Sequence, residues 1–381
     1  MPTNVLIVGG GPAALEAALA LHRLAGDRVA TTLLAPEANL TYRPLSVLAP
    51  FAAGGAPSYP LEHMAQEIGF THVRGRLNSV DPVARTVTTV TGATLGYDVL
   101  LVAAGARPVE PFPAATSFTG SLADQERLHG IVQDVEAGYL KRIAFVVPQG
   151  ATWPLPLYEL ALMLAARAYE MCIDAELHLG TPEHAPLELF GPEAASELTA
   201  LLEEAKITLH THADPAIAGP GRLRIAPGQA LLEVERIVSL PRLEGPAFEG
   251  LPADARGFLV TDEHARVIGV PDVYAAGDVT AFGLKQGGIG CQQADAAAAH
   301  IAGEPEPFRP VLRGMLLTER WARYLRGGQV EARALWWPPT KIAGRELAGY
   351  LAGLDDAAGR PSGTPINVGV GRDVEILSLS Q

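Results

Sequence analysis

The sequence predicts an α/β protein of two parallel-sheet βα units, the second inserted into the first, followed by a C-terminal extension. Three observations carry that prediction. The N-terminus has a β-branched run, a glycine loop and a helix-forming run; mid-chain has a second strand–loop–helix succession; and a Gly–Asp pair precedes an alanine-rich helix near residue 280. The 381 residues suffice for two cores, and a hydrophobic fraction of 48% fits a globular protein. With 29 basic and 42 acidic residues the net charge is −13, which makes nucleic acid and anionic lipid poor partners for the molecule as a whole. Cys172 and Cys291 stand far apart, without CxxC or metal-ligand spacing. That argues against a disulfide framework or a metal site and for a reducing, cytoplasmic setting. The start MPTNVLIVGGG lacks the basic and apolar stretches of a signal peptide, and no window offers the roughly 18 apolar residues of a membrane span.

In the first unit, Asn4–Val8 is a strand, GGGPAA a tight loop and LEAALALHRL a helix. Gly9 allows the turn, Gly11 lets a diphosphate approach the backbone, and Ala14 fills the third small position, with Ala13 beside it. A helix starting near Pro12 directs its free N–H groups at phosphate oxygens, and the missing N–H of proline costs little in a first turn. A second strand, Val29–Leu34, ends at Ala35 where a ribose-binding acid is expected. Glu37, two positions on, is the candidate for the ribose hydroxyls, with an ordinary solvated loop residue as the alternative.

About 270 residues later comes VPDVYAAGDVTAFGLKQGGIGCQQADAAAAHI, a strand (Val273–Ala276) running into Gly277 and Asp278 and then a glycine turn opening a helix. Together with the N-terminal loop, this stretch resembles the pyridine nucleotide–disulfide oxidoreductase superfamily, flavoproteins with two Rossmann-like domains. The resemblance covers roughly residues 1–305 and is closest to the sulfide:quinone reductase and type II NADH dehydrogenase branch. It implies non-covalent FAD between the Gly9–Ala14 loop and Asp278, the latter at the ribityl and pyrophosphate region. TLGYDVLLVAAGARP, with Ala104 and Gly105 in its small-residue turn, looks like the exit from the FAD domain. FTHVRGRLNSVDPVARTV looks like the strand segment whose backbone holds adenine, near Leu77. The YRPL loop lies beside the flavin in that branch, making Arg43 and Pro44 candidate contacts. A helix starting at Gly287–Gly288 would aim its positive end at the negative edge of reduced flavin, worth about 0.3–2 kcal/mol. Lys285 and Gln286 stand just before it as a candidate charge and donor. Cys291, one turn into that helix, is a candidate redox residue, with a small buried core residue as the stronger alternative.

The middle unit is different. In nucleotide-using relatives its loop carries GxGxxG, but here Thr152, Pro154 and Leu157 stand at the glycine positions, and Pro148, Pro154 and Pro156 remove N–H groups. Ordinary NAD(P)H binding is therefore not expected, although strand Arg142–Val147, helix Tyr158–Tyr169 and strand Ala175–Leu179 keep the scaffold. Glu159 matches a glutamate that approaches the flavin in the NADH dehydrogenase branch, which implies a proton relay; a cap or salt bridge in a domain seam is the alternative. Trp153 and Tyr158 are candidates to line a cleft for a planar acceptor, with aromatic packing against the flavin domain as the stronger alternative.

The expected organisation is a FAD-binding domain in two parts (1–110 and 240–305), the inserted domain (111–239) and an extension (306–381). Within the extension, Phe308–Thr318 reads as a hairpin about Gly314, and Thr340–Leu354 as a helix with one apolar face, packed on the flavin domain or a second subunit. Arg313, Arg320, Arg323 and Arg326 beside Trp321, Trp336 and Trp337 form a local basic patch that permits peripheral membrane contact. The resemblance implies electron transfer through FAD to a small acceptor, a quinone foremost. An NAD(P)H dehydrogenase with an atypical nicotinamide site and a non-catalytic flavin scaffold are the alternatives.

Overall fold

A computed structural model describes residues 1–358 apart from 220, 227–229 and 319; the end of the expected extension, 359–381, lies outside the described residues. The first unit is a parallel five-stranded sheet. In chain order its strands are β1 (Thr3–Val8), β2 (Val29–Ala35), β3 (Thr71–Arg74), β4 (Val99–Val102) and, after the insertion, a strand at Val273–Ala275 that closes one edge beside β4. Alternation sorts the side chains of β1: Val5 and Ile7 join the main core under the helices, while Leu6 and Val8 face a second core with Leu34, Leu77 and Leu100. Helix α1 (Pro12–Ala25) starts with proline at its first position and no side-chain cap, leaving its N–H groups free.

Between β4 and the closing strand lies the second parallel sheet: β5 (Thr116–Ser117), β6 (Arg142–Val146), β7 (Glu176–Gly180), β8 (Ile207–His210) and β9 (Arg236–Ser239), in spatial order β5-β9-β6-β7-β8. The closing strand of the first sheet, Val273–Ala275, is therefore β10. Helix α2 (Leu61–Ile68) belongs to the first unit; α3 (Leu122–Glu136), α4 (Leu155–Glu170) and α5 (Pro192–Glu204) belong to the second. Helix α4 begins at Leu155, three residues before the expected Tyr158. Pro154 and Pro156 fall at its N-cap and first turn, where proline is tolerated. Helix α6 (Gly287–Ile301) packs closely on α1: a Cβ on Gly290 would lie 3.5 Å from Ala13 Cβ.

The expected hairpin about Gly314 is corrected by the structure. Gly314 lies inside strand β11 (Arg313–Leu317), which pairs antiparallel with β12 (Ala322–Arg326), so it is not the point about which the hairpin turns. A Cβ on Gly314 would run into the Phe190 ring, so this glycine serves close packing rather than the turn. Helix α7 (Leu347–Ala357) packs on α1 through Leu347, Ala348 and Leu351, and Tyr59 donates to Asp355 at 2.9 Å. Its apolar face is thus covered by the first unit. The basic patch is partly neutralised: Arg320 pairs with Glu170, and Arg323 pairs with Glu197 at 2.7 Å while stacking on Trp321.

Candidate functional site

A cleft of about 300 Å³ opens where the C-terminal ends of the two parallel sheets face each other, the usual ligand position in open α/β sheets. Its walls follow from strand ends: Arg43 and Pro44 after β2, Ala106 and Pro108 after β4, Thr119 and Gly120 after β5, Thr152, Trp153 and Pro156 after β6, Leu240 and Pro241 after β9, and Asp278 after β10.

The residues fit FAD. A Cβ on Gly9, whose φ is 126°, would overlap the Ala103 carbonyl, whereas the space over Gly11 is open at the uncapped start of α1. Asp278 takes no hydrogen bond among the described residues, which leaves its carboxylate free for sugar-type hydroxyls. Burial pushes that carboxyl up, and the charges of Lys285 and Arg43 pull it back. Glu37 reaches the loop, its Oε2 3.8 Å from where a Gly10 Cβ would stand. Gly105 has φ 76° just past β4 and Ala104. Leu77 is a core side chain, so only its backbone is available to a ligand. The Ser46 hydroxyl is buried on the cleft wall without a partner among the described residues.

Lys285 and Gln286 line the cleft, but their side chains are engaged. Lys285 Nζ donates to the Thr280 carbonyl and lies 3.9 Å above the Phe258 ring, and burial pulls its ammonium down to about 8 against the opposing charge of Asp278. Gln286 caps α6 by accepting from Ile289 N at 2.9 Å and donates to the Arg313 carbonyl. Gly287 and Gly288 make room for protein as well as ligand: a Cβ on Gly287 would lie 2.9 Å from Ile342, and one on Gly288 would lie 3.4 Å from Ala343 N.

Cys291 is fully buried in the α1–α6 seam and does not line the cleft, and burial beside acidic neighbours raises its thiol. A redox role for it is not supported by this placement. Cys172 is exposed beyond the C-terminal end of α4.

Glu159 is fully buried and meets Lys341, whose Nζ lies 2.6 and 2.7 Å from its two oxygens; Leu317 N donates to the same carboxylate at 2.7 Å. Burial pushes the carboxyl up and the ammonium down, while each charge stabilises the other. Lys341 and Ile342 also line the cleft, and Ile342 N donates to the Tyr42 hydroxyl at 2.7 Å. Sequence reasoning missed Lys341, Ile342 and Ser46. Lys341 is 182 residues from Glu159, and no spacing rule connects them.

In the second unit, Leu155 and Leu157 are buried, so a glycine position of the usual loop is core here. Tyr158 donates to Glu183 at 2.6 Å, and Thr181 donates to the same oxygen at 2.8 Å. Glu183 follows β7, where a ribose-binding acid would stand, and is held inside the protein. Trp153 lies edge-on to Phe190 at 5.9 Å.

Residues 3–300 match the family model of the pyridine nucleotide-disulphide oxidoreductases, and the chain belongs to that family. It is similar to two NADH dehydrogenase-like proteins of Mycobacterium tuberculosis, 28% identical over 298 residues and 73% of either chain. Among solved structures it is similar to the sulfide:quinone oxidoreductase of Aquifex aeolicus, with a TM-score of 0.77 at 18% identity over 85% of this chain and 83% of that one. A ferredoxin reductase of Rhodopseudomonas palustris matches with a TM-score of 0.65 at 19% identity over 84% and 81%. The protein is an FAD-dependent oxidoreductase. No helix among the described residues is long and apolar enough to cross a membrane.

Proposed function

We propose that this oxidoreductase passes electrons to a flat, apolar acceptor of the quinone class and does not use NAD(P)H as its donor. The observation that carries the reading is the second βα loop. Trp153, Leu155 and Pro156, with Met315 and Leu240 opposite, offer the cleft an apolar wall where a nucleotide enzyme needs glycines and free amides. The Tyr158–Glu183 bond supports it: with Thr181 it holds one oxygen of the carboxylate that a ribose would need, and the other oxygen is buried.

Bound FAD supplies the two-electron chemistry. Arg43, Asp278 and the α1 N-terminus hold and orient it, and the α6 N-terminus favours negative charge at its edge. Lys341 lines the cleft with its Nζ bonded to the buried Glu159, and it would supply a proton to an acceptor oxygen that gains charge on reduction. The buried Cys291 and the exposed Cys172 do not form a pair, so a donor that needs two cysteines is not supported. Membrane-surface contact through the exposed Trp337 and Arg326 would bring the cleft near a lipid-dissolved acceptor, and a homodimer is the alternative assembly.

The test is anaerobic titration of the FAD-loaded protein. Slow or no bleaching by NADH, with fast reoxidation of chemically reduced protein by a soluble quinone, is expected. Bleaching by NADH at turnover rates would overturn the donor half of the reading, and failure of quinone to reoxidise the protein would overturn the acceptor half.

A further inference from the structure

Outside the cleft, one cluster of titratable groups has no part in the chemistry described so far. Glu16, one turn into α1, is fully buried. Its two oxygens accept from Glu346 N at 2.8 Å and Leu347 N at 2.9 Å, the amides that open α7. Gly344 lies so close that a Cβ there would overlap the Glu16 carboxylate and stand 3.2 Å from Cys291 Sγ. Asp295 on α6 faces Glu16 across the seam, and its Oδ1 is buried with no hydrogen-bond partner among the described residues. Two carboxylates in one dry seam cannot both ionise cheaply; a proton on Asp295 donated to Glu16 satisfies both.

The other groups facing the pair are Cys291 on α6, whose thiol meets Glu16; Arg345, 3.9 Å from Asp295 and also paired with Glu306; and Glu346, which pairs with Arg23 of α1 at 2.6 Å. Arg345 is half-exposed and shared with Glu306, and Arg23 is engaged by Glu346, so neither replaces the proton.

The segment held by Glu16 is the one that enters the cleft. Its backbone runs from Thr340, whose carbonyl accepts from Trp336 Nε1 at 2.9 Å, through Lys341 and Ile342 to the amides at 346 and 347. We propose that Glu16 and Asp295 are positioning residues for the flavin site: one proton shared between them fastens the segment Thr340–Leu347 and thereby places Lys341 and Ile342 at the cleft. This rests on reading the cleft as the FAD and acceptor site. It predicts a direction with pH. Asp295 is pushed up to about 8 by burial and by Glu16 when the segment is fastened, and returns toward the ordinary carboxylate range when it is released. Fastening therefore weakens as pH climbs from that range to about 8 and levels off above it.

Hydrogen exchange of the peptide spanning 340–350, read by mass spectrometry on full-length FAD-loaded protein, tests the fastening. The isosteric Glu16→Gln is expected to speed exchange about tenfold at fixed pH by removing charge-assisted acceptors. Asp295→Asn, which donates without titrating, should keep the segment protected, and the ratio of wild-type to Asp295→Asn exchange should rise with pH up to about 8. The flavin absorption band should move with the same pH profile in wild type and stay fixed in Asp295→Asn. Unchanged exchange in Glu16→Gln, or a pH-independent ratio, overturns the proposal. A loosened segment with an unmoved flavin band overturns the positioning role. Protein that takes up no FAD in any form defeats the reading of the cleft and the positioning role with it, while exchange still reports the fastening by itself.

Discussion

The two βα units differ most where they should be most alike. Both place a loop after a parallel strand and then a helix that starts with proline in its first turn, Pro12 in α1 and Pro156 in α4. In the first unit the loop is glycine, with an overlap waiting for any side chain at Gly9 and open space above Gly11. In the second it is Thr152, Trp153 and Pro154, leading into buried leucines. One loop exposes amides, and the other presents carbon. Yet both helices bury a glutamate at their fifth position, Glu16 and Glu159, and both glutamates are satisfied by the same C-terminal stretch, through amides 346 and 347 and through Lys341. A shared scaffold can thus differ in its loops while its helices take on a common task, holding one segment across both units.

The sharpest attack on that comparison is Lys341→Met, which leaves Glu159 buried without its counter-charge. It should cost about 3–5 kcal/mol in denaturant unfolding, and the double variant with Glu159→Leu should recover much of it. Next, Gly9→Ala is expected to cost about 3 kcal/mol and to empty the protein of FAD, read by melting temperature and visible absorbance. Its counterpart in the second loop, Gly150→Ala, meets no atom within 4 Å and has φ 77°. It should cost only about 1–2 kcal/mol and leave flavin content unchanged; equal losses at the two glycines would erase the contrast. Tyr158→Phe removes one donor from Glu183 and should cost about 1–2 kcal/mol without creating NADH binding by calorimetry. If NADH then binds, the internal bond rather than the loop is what closes the second unit.

Much of the fold was legible because its signals are local. The run Asn4–Val8, the glycines after it and the Gly277–Asp278 pair each declare their geometry within a few residues, and the two strands expected in the second sheet, β6 and β7, stand within one residue of their expected places, whereas β5, β8 and β9 were not expected. The start of α4 was read late because prolines at 154 and 156 look like breakers until the N-cap is known. Gly314 was read as a turn because glycine signals a bend in sequence, and nothing in its neighbourhood announces Phe190, which lies more than a hundred residues earlier. Glu159 stood out as a candidate, but its ion pair with Lys341 did not, since a contact over 182 residues leaves no periodicity to read.

The sequence alone determined that one loop is built of glycine and the other is interrupted by prolines, because backbone freedom and the N–H of each residue are properties of residue type. Only the tertiary structure decided which buried charges meet, how the last helix is fastened and which side chains face the cleft. Those outcomes depend on desolvation and on partners brought together from distant parts of the chain, and a buried carboxylate acquires its proton or its counter-ion only once folding has removed the water around it.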